Sequence, residues 1–226
     1  MEFIKENQFV SAFIASVLTV AVGLMMFVVL EPSVGHAVDD VFVVEQIIIG
    51  EISFLATSTD VTLADINGLT GGVSNGSYEV VVTTNDADGY AMTLSFEDAV
   101  AMQRDTGGGV IANYSPVGIP DISFDPDTEV FGQFAFTVSA DNISDLVQRF
   151  RNDGVVCNDA GGGDAIASCW DAPSSGIIPI VNTSSATSAS GATTTIHFRI
   201  DVPNNPVPAI PTGTYHATAT LTATVN

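Results

Sequence analysis

The sequence predicts an all-β protein, an antiparallel β-sandwich of seven to nine strands preceded by one N-terminal hydrophobic helix. Three observations predict it. Gly, Asn, Asp and Pro clusters punctuate most of the chain at short intervals, leaving little room for long helices. The segments between them are rich in β-branched and aromatic residues, and several alternate apolar with polar. The one long apolar run without a turn signal, FVSAFIASVLTVAVGLMMFVVL at 9–30, precedes all of them.

That run carries no charge and is about enough helix to cross a hydrocarbon core of roughly 30 Å. It is longer than the usual signal-peptide core of about 7–15 residues, and its flank of Glu2, Lys5 and Glu6 is poorly basic. Pro32 then breaks the helix, and Gly35 and Ala37 occupy the minus-three and minus-one places of an A-x-A-like cleavage site. Residues 1–37 therefore read as a signal peptide or, uncleaved, as a membrane anchor. Residues 38–226 read as a single extracellular domain with loop insertions near 97–130 and 141–192. A type IV pilin leader needs a Gly at the processing point and a Glu early in the helix, and neither is present.

The stretch VDDVFVVEQIIIGEISF at 38–54 reads as the first strand, and it is apolar on both faces. Val41, Val43, Ile47 and Ile49 fall on one side, Phe42, Val44, Ile48 and Ile52 on the other. Exposed, such a strand invites aggregation; inserted between two strands it does not. Insertion into its own sheet makes it a core strand. Insertion into a neighbour makes Val41, Phe42, Val43, Val44, Ile47, Ile48 and Ile49 a donor strand, with Gly50 as the hinge. Such a head-to-tail contact does not close and grows a filament.

Turns follow at Asn67-Gly68, Gly71-Gly72 and Asn75-Gly76, then a hairpin of strands 78–84 and 90–96 around Asp88-Gly89. Residues 131–139 form a strand with Phe134, Phe136 and Val138 on one face. Residues 143–153 form the one helical or irregular excursion, capped by Asp141, Asn142 or Ser144, with Leu146, Val147 and Phe150 on one side. A Ser/Thr-rich run at 182–195 leads into TTTIHFRIDV, where Ile196, Phe198, Ile200 and Val202 alternate with polar residues. The closing strand at 215–225 alternates Tyr215, Ala217, Ala219, Leu221, Ala223 and Val225 against His216 and four threonines. The whole pattern is immunoglobulin-like by analogy, and no fixed repeat marks a solenoid.

The net charge of −21 excludes a basic footprint for nucleic acid or anionic membrane. Setting aside Glu2, Glu6, Glu31 and Lys5 leaves 23 acidic and 4 basic residues, a net of −19. The membrane is met only through the N-terminal segment. The two cysteines, Cys157 and Cys169, pair with each other in an oxidising compartment and close a Gly-rich loop. His197 and His216 sit singly in strand patterns, which disfavours zinc.

Acids on turns are candidate calcium ligands: Asp86 and Asp88 in one cluster, Asp121, Asp125, Asp127 and Glu129 in another. Neither matches an EF-hand loop, so solvated turn acids are the default and no cofactor is expected. No G-x-S-x-G, H-E-x-x-H or G-x-x-x-x-G-K occurs, and nothing selects a pair of catalytic carboxylates, so no enzyme is expected. N-x-[ST] triplets at Asn75, Asn113, Asn142 and Asn182 fit exposed loops.

The ending PTGTYHATATLTATV resembles the final strand of many secreted bacterial β-sandwich modules. VVEQIIIGEISFLATSTDVTLADINGLTGG and SYEVVVTTNDADGYAMTLSF resemble bacterial surface proteins of candidate-phylum and Gram-positive type, including relatives of the WxL-domain and TasA-like fibre groups. The resemblance covers about 38–100 and 193–226. It implies an extracellular structural β-sandwich in which the N-terminal segment, here 38–49, completes the sheet of the next subunit. The WxL signature is missing, because the sole tryptophan, Trp170, is followed by Asp171 and Ala172. The expectation is a cell-surface structural protein, a fibre or pilus-like subunit whose partner is itself. The alternative is a monomeric adhesion or ligand-binding module meeting another surface protein or a glycan through its insertions.

Overall fold

In the computed structural model, which describes residues 3–29, 43–56, 58–116, 120–124, 129–159 and 169–226, the chain is mostly β with one N-terminal apolar helix. It divides into two units, 1–47 and 48–226. The first contains helix α1 (Phe3–Val29). Its segment 9–27 is long and apolar enough to cross a membrane, and none of it is buried, which is compatible with a signal sequence or an anchor. The expected cleavage point after Ala37 lies outside the described residues.

Among its described residues the second unit has ten strands, in chain order β1 (Ile52–Phe54), β2 (Gly72–Thr84), β3 (Tyr90–Phe96), β4 (Met102–Arg104), β5 (Val110–Asn113), β6 (Gln133–Ala140), β7 (Ile178–Asn182), β8 (Ala192–Val202), β9 (Tyr215–His216) and β10 (Ala219–Val225). They form a seven-stranded sheet ordered β1-β2-β8-β6-β5-β4-β9 and a three-stranded sheet ordered β10-β3-β7. One core draws on both sheets: Val80 and Val82 of β2, Phe134, Phe136 and Val138 of β6 and Ile196 of β8 meet Met92, Leu94 and Phe96 of β3 and Ile180 of β7. Phe96 sits edge-on to Phe134 with centroids 6.0 Å apart. Burying each such side chain contributes about 1.5–3 kcal/mol before the entropy of ordering is counted.

Several elements depart from the sequence expectation. Ten strands exceed seven to nine because β4 and β5, only three and four residues long, fall inside the segment read as a loop insertion. The pairing of β5 with β6 is parallel, against an antiparallel expectation, with Ala112 opposite Gln133. The expected turn at Asn75-Gly76 lies within β2, whose ladder to β8 runs unbroken from Gly72 opposite Val202 to Val82 opposite Ala192. Gly76 is needed there because Leu63 and Val61 pack where its Cβ would stand. Among its described residues, the expected first strand pairs from Ile52, opposite Thr84.

β6 is buried on both faces, not one. Beneath it Phe134, Phe136 and Val138 enter the main core, while Ala135 is covered by a second cluster of Tyr114, Phe124 and Trp170. Tyr114 and Phe124 have centroids 4.5 Å apart, and the Arg199 guanidinium stands 4.9 Å from the Phe124 centroid.

Two turns show why the chain closes as it does. Gly89 ends the β2–β3 turn at φ +82, with its N–H on the Asp86 carbonyl at 3.2 Å and the Thr183 carbonyl carbon 2.7 Å from where a Cβ would stand. In the P-x-G-x-Y segment, the Tyr215 hydroxyl donates to the Pro211 carbonyl at 2.8 Å and ties down the approach to β9. β9 joins the large sheet beside β4, and two residues later β10 joins the small one beside β3.

Candidate functional site

The features that invite function are two stretches of strand-like sequence left without partners. The first is the apolar leader. Among the described residues, 43–50 pair with no strand. Val43, Val44, Ile47, Ile48 and Ile49 are 88, 82, 73, 82 and 71% exposed. Val41 and Phe42, the other expected donor residues, lie outside the described residues.

The leader joins the domain at a defined clasp. The Asn85 side chain accepts the Glu51 N–H at 2.6 Å and donates to the Ile49 carbonyl at 3.2 Å. The Thr84 hydroxyl donates to the Glu51 carbonyl at 2.7 Å. At Gly50, expected as a hinge, the Asp86 carboxylate stands where a Cβ would go, so a larger residue would displace that side chain. The leader therefore departs from the end of the domain that carries the β2–β3 turn.

The second is the outer edge of β10. Its register with β3 runs without a shift from Ala219 opposite Phe96 to Val225 opposite Tyr90. Just outside the strand, the Glu97 N–H reaches the Thr218 carbonyl at 3.0 Å and the Asn226 N–H reaches the Gly89 carbonyl at 3.2 Å. Antiparallel ladders alternate bonded and non-bonded pairs. Thr220, Thr222 and Thr224 therefore bond to β3, and Ala219, Leu221, Ala223 and Val225 turn their N–H and C=O groups outward. The other side of β3 agrees: the Phe96 N–H goes to the Ser174 carbonyl at 2.9 Å and the Tyr90 carbonyl accepts the Thr183 N–H at 2.8 Å. Among the described residues no strand meets the outward groups of β10.

The core is correspondingly open on this side. Leu221 and Ala223 are only half-buried, although Leu94 and Met92 opposite them on β3 are 1% and 0% exposed. Val225, Phe54 and Leu55 are 40, 43 and 54% exposed nearby in the fold, where β1 and β10 approach within 8 Å between Cα atoms.

The other candidates resolve differently. Asp86 organises its own turn, its Oδ1 accepting the Asp88 N–H at 2.9 Å. Asp121 accepts the Tyr114 hydroxyl at 2.6 Å and exchanges backbone bonds with Trp170. Glu129 is half-buried, and Asp125 and Asp127 lie outside the described residues. Among the described residues no three His, Cys, Asp or Glu side chains group as a metal site. Cys157 and Cys169 are joined, with sulfurs 2.14 Å apart.

The two strand histidines each have a polar partner. His216 Nδ1 pairs with Asp105, and His197 Nε2 lies 2.9 Å from the Ser139 hydroxyl. Asn113 is not a loop residue: its amide donates to the Ala99 and Pro173 carbonyls at 2.8 and 2.9 Å. Asn75 likewise lies within β2.

Sequence reasoning missed the ion pair of Arg149 with Asp171, whose side chain is 1% exposed. It also read β10 as an ordinary last strand. The signal available was its composition, seven residues without a charge, a Pro or a Gly. Fold and site together give a mainly β protein with an N-terminal apolar helix, an exposed apolar leader and, along β10, a sheet edge that no strand meets among the described residues. No family model matches this chain, and no curated protein matches its sequence.

Proposed function

We propose that this protein is an extracellular structural component of the cell surface, a fibre or pilus-like subunit on an immunoglobulin-like β-sandwich, assembling by lending its N-terminal strand to another copy. The observation that supports this most is the leader, five large aliphatic residues exposed within seven positions and unpaired. Burying one face of it in a neighbour, Val44 with Ile48, is worth a gross of about 3–6 kcal/mol at about 1.5–3 kcal/mol each. Backbone hydrogen bonds along the added strand contribute the rest against an association cost of about 4–15 kcal/mol. The apolar α1 supports export, the joined cysteines an oxidising compartment, and the net charge of −21 a solvated surface.

The test is negative-stain electron microscopy of the full chain, exported by a bacterial host, beside a Val44→Asp/Ile48→Asp variant. Ordered filaments from the unaltered chain alone support the fibre reading. Monodisperse particles from both overturn it and leave a monomeric adhesion or ligand-binding module, with its contact surface in the 97–130 and 141–192 segments.

A further inference from the structure

The three-stranded sheet has two outer edges, and the fold treats them differently. Along β7 the edge is covered: Leu146 bridges Val181, the Val147 N–H reaches the Ile180 carbonyl at 3.1 Å, and Leu146 is fully buried. Along β10 the edge carries none of the devices that usually protect one. Its sequence ATLTATV has no charge, no Pro and no bulge, and the residues facing away from the core are Thr220, Thr222 and Thr224. The edge of β2 over 72–80, another stretch without a strand partner among the described residues, bears Glu79 and two glycines, and Val61 and Leu63 already lie against Gly76.

Resting on the reading above, we propose that the free edge of β10 is the acceptor for residues 43–49 of a second copy, which enters antiparallel to it. The acceptor strand is seven residues long, about 23 Å, and residues 43–49 suffice to run its whole length. The direction follows from where the chain leaves the domain. Asn85 holds 49–51 at the end where β10 finishes, with Val225 opposite Tyr90. In a head-to-tail stack the leader of one copy meets the opposite end of the next, where β10 begins at Ala219. It then runs back along β10, with Ile49 towards Ala219 and Val43 towards Val225. Each added copy leaves a new leader or a new edge unfilled, so the assembly grows. Parallel entry from the other end would instead make a closed, reciprocal dimer.

The face is set by charge. Glu45 shares a face with Val43, Ile47 and Ile49, whereas Gln46 shares one with Val44 and Ile48. An ionised carboxylate is the costlier group to bury. Val44 and Ile48 therefore turn inward beside Leu221 and Ala223, and Ile47 turns outward into the row of threonines. Because Thr222 bonds to β3, the residue facing it from the leader forms a non-hydrogen-bonded pair. There the Cα atoms lie about 4.5 Å apart, close enough for a disulfide.

The test uses the full chain exported by a bacterial host and run on non-reducing gels. Ile47→Cys is combined in turn with Thr220→Cys, Thr222→Cys and Thr224→Cys, and with Val207→Cys, a residue 65% exposed in a loop, as the control. The expected result is a ladder of dimers, trimers and higher species from at least one threonine pair, at least tenfold above the control. Ala223→Pro removes one outward N–H and leaves the ladder to β3 intact; it is expected to keep its thermal transition and lose the filaments. A dimer band without a ladder overturns the antiparallel entry. Threonine pairs no better than the control, with filaments that still need Val44 and Ile48, overturn β10 as acceptor and spare the fibre reading. An unaltered chain that never assembles overturns both. Should Ala223→Pro unfold, the cysteine pairs decide.

Discussion

Replacing Arg149 by Met should destabilise the fold by about 2–3 kcal/mol, because it leaves the buried Asp171 carboxylate without its counter-charge. That carboxylate accepts from Arg149 Nε and from Nη2 at 2.8 Å, and its Oδ1 also takes the Ala172 N–H at 2.8 Å. The Asp171 backbone exchanges bonds with Phe136, at 2.8 Å from its N–H and 3.2 Å to its carbonyl. The carboxylate therefore cannot swing out to water without breaking the edge of the core. Stripping one partner from a buried pair costs about 3–5 kcal/mol. The Arg149 side chain is 40% exposed, so water reaches the site and lowers the figure. Its hydrogen bond to Asp171 holds the guanidinium above its usual range against the pull of burial, so it stays charged throughout the assay. The assay is urea unfolding followed by the fluorescence of Trp170, which is 4% exposed and adjacent to Asp171. Arg149→Met/Asp171→Asn removes both charges and should recover most of the loss, a coupling of at least about 1 kcal/mol. A single-variant cost below about 0.5 kcal/mol, or strictly additive effects, would refute the reasoning.

Replacing both cysteines by Ser should cost about 2–3 kcal/mol in the same assay, the entropy of a loop with a sequence separation of 12. Tyr90 gives a pH signature. Its phenol is pushed up to about 12, first by burial and second by the charge of Asp145, with the Thr194 hydroxyl working the other way. An acid whose folded pKa is raised contributes stability that is fully present below its unfolded value, about 10, and is lost as pH climbs through the folded value. Stability should therefore fall between about pH 10 and 12, and Tyr90→Phe should flatten that limb in alkaline thermal scans.

Strands that bury one face and show water the other were legible in the sequence. β8 and β10 alternate cleanly, and their ladders follow. Residues 72–77 were not legible, because Asn75-Gly76 reads locally as a turn while eleven residue pairs with β8 keep the strand extended. The 143–153 segment has the caps and spacing of a helix, yet it forms two short 3-10 turns, Ile143–Asp145 and Gln148–Phe150. Between them Leu146 and Val147 are extended, with ψ of 145 and 149, to cover the edge of β7, a tertiary demand invisible to local pattern. The disulfide was legible because two cysteines allow one pairing. The leader's apolar character on both faces was legible, but its expected strand was not found over 43–50, which pair with no strand. The open edge of β10 was not legible, because openness concerns what fails to pair with a strand, and a composition without a charge, a Pro or a Gly fits an interior strand as well as an open edge.

Charge supplies a further test of the way copies meet. Without the N-terminal segment each copy carries a net charge of −19, so approaching copies repel, yet leader and β10 contribute only Glu45 to the contact itself. The repulsion is thus spread over the surface and screened by salt, over about 30 Å at 0.01 M and about 8 Å at 0.15 M. In the proposed contact the attraction is apolar burial and backbone bonds, which salt of that strength leaves almost untouched. Assembly should therefore start several-fold sooner at about 0.15 M than at about 0.01 M NaCl, read as the onset of light scattering at one protein concentration. Contacts held by ion pairs respond the other way. Assembly that slows as salt rises would place the contact on charged loops and away from the uncharged edge of β10.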